Sequence, residues 1–204
     1  MNAYICQMID FPYDLVLLVG AGLFAGFINT MAGGGSLLTL PLLIFLGLPS
    51  ATANGTNRVA ILVATSSATL GFRSKKVNSF PFSLYLGGAA LMGALIGARI
   101  AIDIDGNLFN RILAIIMIVV VVLMVFKPNY NAIPTSAKTT GKTRIWSMVA
   151  FFFIGIYGGF INAGIGFIMM LFMNYVNRMD LIRVNATKVA VAFIYTTGAL
   201  VTFA

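Results

Sequence analysis

Arg58 and Lys188 are basic residues at the mouths of long apolar segments, each behind a polar cluster. Asn54, Thr56 and Asn57 precede Arg58; Asn185 and Thr187 precede Lys188. A charge near the centre of a bilayer costs about 2.5–3.5 kcal/mol on insertion scales. Such a residue either snorkels to the interface or meets an opposite charge. No Asp or Glu lies inside the apolar segments to supply one, whereas an anionic ligand would. The Asn and Thr residues suit two compatible roles, since capping a helix and donating to an anion use the same helix end.

A second group of candidates surrounds a helix break. The stretch Phe27–Leu38, FINTMAGGGSLL, puts Gly33, Gly34 and Gly35 in a row inside an apolar run. Glycine in a helix interior costs about 1 kcal/mol relative to Ala, and three together unwind it. Unwound backbone at membrane depth is tolerated only where protein or a water-filled cavity covers it. N–H groups freed at Ser36 and Leu37 would then favour an anion. Asn29 stands just before this break, and Asn162 before a weaker one around Gly164 and Gly166, where Ile165 interrupts the glycines. An Asn amide donates two hydrogen bonds and accepts two, so it can hold a ligand or satisfy the opened backbone. The candidate substrate-binding set is therefore Asn29, Gly33, Gly34, Gly35, Ser36, Asn54, Thr56, Asn57, Arg58, Asn162, Gly166, Asn185, Thr187 and Lys188. The spaced pairs Gly22/Gly26, Gly93/Gly97 and Gly155/Gly159 read instead as close helix-packing contacts.

These residues sit in a chain that is 60% apolar and 9% charged, with a mean hydropathy of +0.99. No charge occurs between Asp14 and Arg58, within Val77–Ala98, or within Ile145–Asn177. About 20 helical residues cross a bilayer core, so the class expected is an all-α, multi-pass membrane protein. The net charge of +8 then reflects basic loops that orient helices rather than a nucleic-acid surface. A lone Cys6 gives no disulfide or thiolate cluster within the chain, and no removable signal peptide is expected.

The expected spans are Leu15–Ala32, Asn57–Phe72, Phe80–Ile102, Leu108–Phe126, Ile145–Gly166 and Val189–Ala204. Short apolar segments lie at Ser36–Gly47 and Phe167–Val176, a polar stretch at Leu48–Arg58 and a polar loop at Asn177–Lys188. Leu15–Gly47 would measure about 50 Å as one helix, so it kinks or turns back; the sequence leaves both open. Arg73, Lys75 and Lys76 form one basic loop, Lys127, Lys138, Lys142 and Arg144 another, with Asp103 and Asp105 between them. Both basic loops are expected to be cytoplasmic. Arg58, Arg178, Arg183 and Lys188 then fall on the outer side or inside the protein, against that bias.

The chain also repeats itself. GLFAGFIN (Gly22–Asn29) returns as GIYGGFIN (Gly155–Asn162), and NGTNRVA (Asn54–Ala60) as NATKVAV (Asn185–Val191); Thr65, Ala68 and Phe72 match Thr196, Ala199 and Phe203. The organisation expected is a first membrane repeat over 1–126, a cytoplasmic linker over 127–144 and an incomplete second repeat over 145–204. Since Arg144 opens the second copy, both copies are expected to begin on the cytoplasmic side and to run parallel. A complete second copy would extend about 50 residues beyond Ala204 by the repeat arithmetic.

Catalysis is not expected. The chain has no His and no Glu, no Walker-type loop, no metal-ligand cluster, and no base to activate a Ser or Cys nucleophile. The absence of acids within spans also disfavours a proton relay. What remains is facilitated or gradient-driven movement of a small anion, without cofactor or metal. The alternative is a non-transporting scaffold or assembly subunit, or an inactive truncated transporter, with a homo-oligomer as one way to complete the bundle.

The segment AGGGSLLTLPLLIFLGLPSATANGTNRVA (Ala32–Ala60), the broken span before it and the later GFIN…NATK copy resemble the sulfite exporter TauE/SafE permeases. The resemblance implies an inner-membrane transporter of about eight helices in two repeats. It also implies small anionic substrates such as sulfite, sulfoacetate or related organosulfur and carboxylate compounds. This chain departs from the pattern by ending after its sixth expected span.

Overall fold

The computed structural model describes residues 13–77, 79–125 and 137–203. Eight helices are present among them: α1 (Tyr13–Ala32), α2 (Ser36–Phe45), α3 (Ser50–Ser74), α4 (Phe82–Asp103), α5 (Gly106–Val125), α6 (Gly141–Phe160), α7 (Ile165–Tyr175) and α8 (Leu181–Phe203). Cys6 and Asp10 lie outside the described residues, as does Lys127 with most of the expected linker. Four helices are long and apolar enough to cross a membrane: Phe82–Asp103, Gly106–Leu123, Gly141–Phe160 and Leu181–Thr202. The chain is thus an all-helical multi-pass membrane protein.

The helix boundaries follow the turn chemistry of the chain. α1 stops where Gly33 takes φ +75, a left-handed conformation that glycine adopts without a Cβ penalty. α6 stops at Phe160, and Asn162 (φ +64) and Gly164 (φ +70) turn the chain; Asn and Gly are the residues that visit this region most readily. The polar stretch Leu48–Arg58 is helical from Ser50, directly after Pro49. The expected polar loop Asn177–Lys188 is corrected, being helical from Leu181. Asn54, Asn57 and Arg58 share one buried helical face at i, i+3, i+4, so they sit inside the helix and do not cap it. The expected span Ile145–Gly166 is likewise divided, ending at Phe160 and resuming at Ile165.

Small residues let three helices lie side by side. A Cβ on Gly155 would stand 2.7 Å from Ala90 Cα, one on Gly159 2.6 Å from Ala94 Cα, and one on Gly97 2.8 Å from Phe160 N. Residue numbers rise together along both helices, so α4 and α6 run in the same direction, backbone against backbone. α8 follows that direction too: Gly87 abuts Ile194, and Gly198 abuts Leu91 and Leu95. Gly93 would bring a Cβ to 2.8 Å from Ile156 N. Gly93→Leu is expected to separate α4 from α6 and to cost about 2–4 kcal/mol, read as a fall in the detergent-solubilised melting temperature. α5 buries Phe109, Leu113 and Val120 and turns its other face outward, Ile115 and Ile118 being more than half exposed, as a lipid-facing helix should.

The ends of the bundle differ in charge. Arg144, in the first turn of α6, lies over the ring of Tyr85 near the start of α4, 4.8 Å from its centroid. The loop carrying Lys75 and Lys76 leads into that same end. Asn177, after α7, bonds Lys138 through both backbone and side chain and reaches Ser147 on α6, which brings Arg178 and Arg183 to this end as well. The expectation that these two break the charge bias is therefore corrected. Asp103 and Asp105 mark the opposite, acidic end.

The repeated segments form two hairpins. α7 folds back along α6: Gly158 meets Ile165, the rings of Phe151 and Phe172 lie 5.8 Å apart, and Ser147 bonds Asn177. α2 folds back along α1, with Gly35 so near that a Cβ there would stand 2.6 Å from Asn29 Cβ. The α6–α7 hairpin starts and finishes at the basic end. The α1–α2 hairpin opens toward the acidic end, where α3 begins with Ser50 Oγ donating to Asn110 Oδ1 at 2.8 Å, near the start of α5. α3 then runs to the basic end, while its sequence counterpart α8 runs away from it. These contacts give the copies opposite directions rather than the expected parallel ones. A folded-back α1–α2 makes no net crossing, which reverses the direction of everything counted from it.

Candidate functional site

The two hairpin tips meet. A Cβ on Gly33 would stand 2.5 Å from Gly166 Cα and 2.6 Å from Phe167 N, and one on Gly166 would stand 2.5 Å from Gly33 Cα. Only a pair of glycines allows this approach. Gly34 and Gly35 are buried beside it.

A constricted cavity of about 20 Å³, room for about one water molecule, lies at this junction. Its polar wall comes from Asn29, Thr30, Ser36, Thr65, Asn162, Lys188 and Tyr195, and its apolar wall from Ile61, Ile165, Met169, Val189 and Ala192. Ser36 opens α2; Ile165 and Gly166 open α7. The first N–H groups of a helix have no intrahelical acceptor and carry the positive end of its dipole, so two such ends converge here from opposite ends of the molecule.

Asn162 is 1% exposed. Its Oδ1 accepts a hydrogen bond from Tyr195 Oη at 2.6 Å, while Nδ2 has no hydrogen-bond partner among the described residues. The hydroxyl fixes the amide so that its donor side is left over. A buried amide donor without an acceptor costs about 1–3 kcal/mol, which an oxyanion would recover.

The negative ends of the broken helices are covered by the two cations. Lys188 Nζ donates to Asn29 O at 3.2 Å and Thr30 O at 2.9 Å, near the end of α1, and to Asn185 Oδ1 at 2.7 Å. Met170 Sδ lies 3.6 Å from the same nitrogen, so all three ammonium donors are engaged. Arg58 Nη2 donates to Gly158 O at 3.1 Å and to Gly159 O, near the end of α6. Asn54 Nδ2 adds a bond to Phe160 O at 2.7 Å, and Tyr157 Oη donates to Ala163 O. Each copy thus supplies the cation that stabilises the other copy's helix end, as expected for positive charge at a C-terminus. Neither cation snorkels: Arg58 and Lys188 are 0% and 2% exposed.

The candidates from sequence fall into three groups. Asn29, Ser36, Asn162, Gly166 and Lys188 line the cavity, with Gly33–Gly35 at the tip contact and Asn185 holding Lys188. Asn54, Asn57 and Arg58 are buried on α3 but do not line it. Thr56 is exposed, and the buried Thr187 bonds its own helix at Arg183 O, 2.8 Å. Tyr195, Thr65 and Met169 escaped the sequence reading. Helical spacing carried a signal for two of them: Thr65 and Tyr195 each follow the basic residue of their helix by seven positions.

A multi-pass helical protein whose two broken hairpins meet at a cavity with an ammonium group and helix N-termini is the class defined by these observations. The chain belongs to the sulfite exporter TauE/SafE family, whose model matches residues 18–204. It is 29% identical over 157 residues to a probable membrane transporter protein, ORF9, of Sinorhizobium sp, covering 77% of this chain and 59% of that one. It is 29% identical over 163 residues to a probable membrane transporter protein of Haemophilus influenzae, covering 79% and 63%. It is also 28% identical over 155 residues to the probable membrane transporter protein YfcA of Escherichia coli, covering 76% and 57%. The matched region spans about three-fifths of the length of these relatives. No solved structure matches the chain.

Proposed function

We propose that this chain carries the substrate site of a membrane transporter for small anions, with sulfite, sulfoacetate or related organosulfur and carboxylate compounds as substrates. The observation that carries the reading is the meeting of two helix N-termini, from opposite ends, at a cavity holding Lys188 and the spare donor of Asn162. The family description and the names of the relatives support the same reading.

The anion sits between the starts of α2 and α7, accepting from Asn162 Nδ2 and the N–H groups of Ser36, Ile165 and Gly166, since those of Leu37 and Phe167 already bond Gly34 O and Gly164 O. Each helix end contributes about 0.3–1 kcal/mol, and more where it is desolvated. Lys188 supplies the net charge. Since all three of its donors are already engaged, an approaching anion competes with Asn29 O and Thr30 O for the ammonium group. Binding therefore loosens the clasp on the α1–α2 tip, which links occupancy of the site to movement of one hairpin against the other. Hairpins inserted from opposite ends give each a gate on its own side.

The basic end faces the cytoplasm of a bacterial inner membrane by the positive-inside rule. With Cys6 changed to Ser, a membrane-impermeant maleimide applied to spheroplasts is expected to label Asp105→Cys and to spare Lys142→Cys. The reverse pattern would invert the orientation. The transport reading itself is tested by exchange of radiolabelled sulfite in proteoliposomes. Saturable exchange, competed by sulfoacetate, is expected; exchange no faster than in protein-free vesicles would contradict it.

A further inference from the structure

A second cavity of about 60 Å³ lies among α1, α2 and α3, lined by residues that include Asn57, Thr39, Ala64 and Gly35. It shares Asn29, Ser36 and Ile61 with the first cavity, so those three form the wall between them.

The two cavities are the two copies of one pocket. Under the sequence repeat Asn29 corresponds to Asn162, Asn57 to Lys188, Ile61 to Ala192 and Ala64 to Tyr195. The first residue of each pair lines the second cavity, and the second residue lines the first cavity. A similar amide arrangement occurs here too, at a position the repeat does not relate to Asn162. Asn57 is 2% exposed; its Oδ1 accepts from Thr39 Oγ1 at 2.6 Å, and its Nδ2 has no hydrogen-bond partner among the described residues. A hydroxyl thus fixes the amide and leaves a buried donor over, as Tyr195 does for Asn162. Gly35 and Ser36, at the start of the ten-residue helix α2, line this cavity too. The difference is charge, since a neutral Asn stands where the first cavity has an ammonium group.

We infer that the second cavity is a weaker oxyanion subsite beside the first, held by Asn57 Nδ2 and the N-terminal turn of α2. It takes the carboxylate, sulfonate or sulfite group of the substrate class proposed above, and rests on that reading. An anion leaving Lys188 meets a second set of donors across the shared Asn29–Ser36–Ile61 wall. Weak binding there favours onward movement over trapping.

Equilibrium dialysis of radiolabelled sulfite against the purified chain in lipid nanodiscs tests this. Two equivalents per chain are expected, the second weaker by at least about tenfold for want of a cation. Asn57→Ala is expected to remove the weak equivalent and to keep the tight one within about threefold. Ala64→Phe, which fills the cavity without touching Asn57, should do the same, and melting temperatures verify that both variants fold. Asn162→Asp should remove the tight equivalent and leave the weak one. A single equivalent in the wild type, lost in Asn162→Asp, overturns the second subsite and leaves the transporter site standing. Two equivalents persisting in both Asn57→Ala and Ala64→Phe also overturn it. No sulfite bound by the wild type removes both.

Discussion

Lys188→Met is expected to lower the melting temperature of the purified protein by about 5–15 °C and sulfite exchange by at least about 30-fold. Two separate roles of the ammonium group produce the two effects. Its hydrogen bonds to Asn29 O and Thr30 O fasten α8 to the end of α1, while Asn185 Oδ1, one turn back on α8, steadies the ammonium group. Without them, buried acceptors lose a charge-assisted donor, at about 1–3 kcal/mol each where water does not replace it. The lost charge also leaves the cavity with backbone and amide dipoles alone. Lys188→Gln separates the roles, because its amide donates but carries no charge. It should regain much of the melting temperature and little of the exchange. Full exchange in Lys188→Gln would show that the charge serves only to fasten the helix.

The second large effect is expected at the tip contact. Gly166→Ala places a methyl group 2.5 Å from Gly33 Cα, and backbone there has no flexible side chain to swing aside. The tips must part, at a cost of about 3 kcal/mol or more, and exchange should be lost because α2 and α7 no longer point at one space. Gly33→Ala should be worse, adding the strain of a Cβ at φ +75. Gly88→Ala in α4 is the matched control, since a Cβ there meets nothing within 4 Å. It should be neutral or stabilise the helix by about 0.5–1 kcal/mol. Thermal unfolding of the three variants checks the series; equal melting temperatures for Gly166→Ala and Gly88→Ala would show that the tips do not touch.

Much of this architecture was legible in the sequence. Long charge-free runs gave the helices, Gly33–Gly35 gave the first break, and the Gly-Phe-Ile-Asn copy gave the second. The direction of the copies was not legible, because it depends on whether α1–α2 crosses or folds back, and hydropathy is the same for both. The same ambiguity in the α6–α7 copy misplaced Arg178 and Arg183. The polar run around Asn185 reads as a loop because a polarity pattern does not reveal that the surrounding protein, rather than lipid, covers a helix. Among the candidates, Asn29, Asn162 and Lys188 come together, while Asn57 turns to a neighbouring cavity and Thr56 to the surface. Arg58 and Lys188 were legible as cations at the mouths of spans, with snorkelling and burial both open, but not as caps on each other's repeat. A helix C-terminus offers partial negative charge without any acidic residue, so a search for Asp or Glu passes over it.

The central claim is that an anion binds where the tips meet, on the spare donor of Asn162. Sulfite exchange in proteoliposomes, compared between the wild type and Asn162→Asp, tests it most directly. The aspartate keeps an acceptor for Tyr195 Oη and nearly the same shape, but it exchanges the donor facing the cavity for a carboxylate oxygen. Exchange is predicted to fall by at least about 30-fold, as expected when a buried charge-assisted contact is reversed, with little loss of folded protein. Exchange in Asn162→Asp equal to that of the wild type would contradict the account.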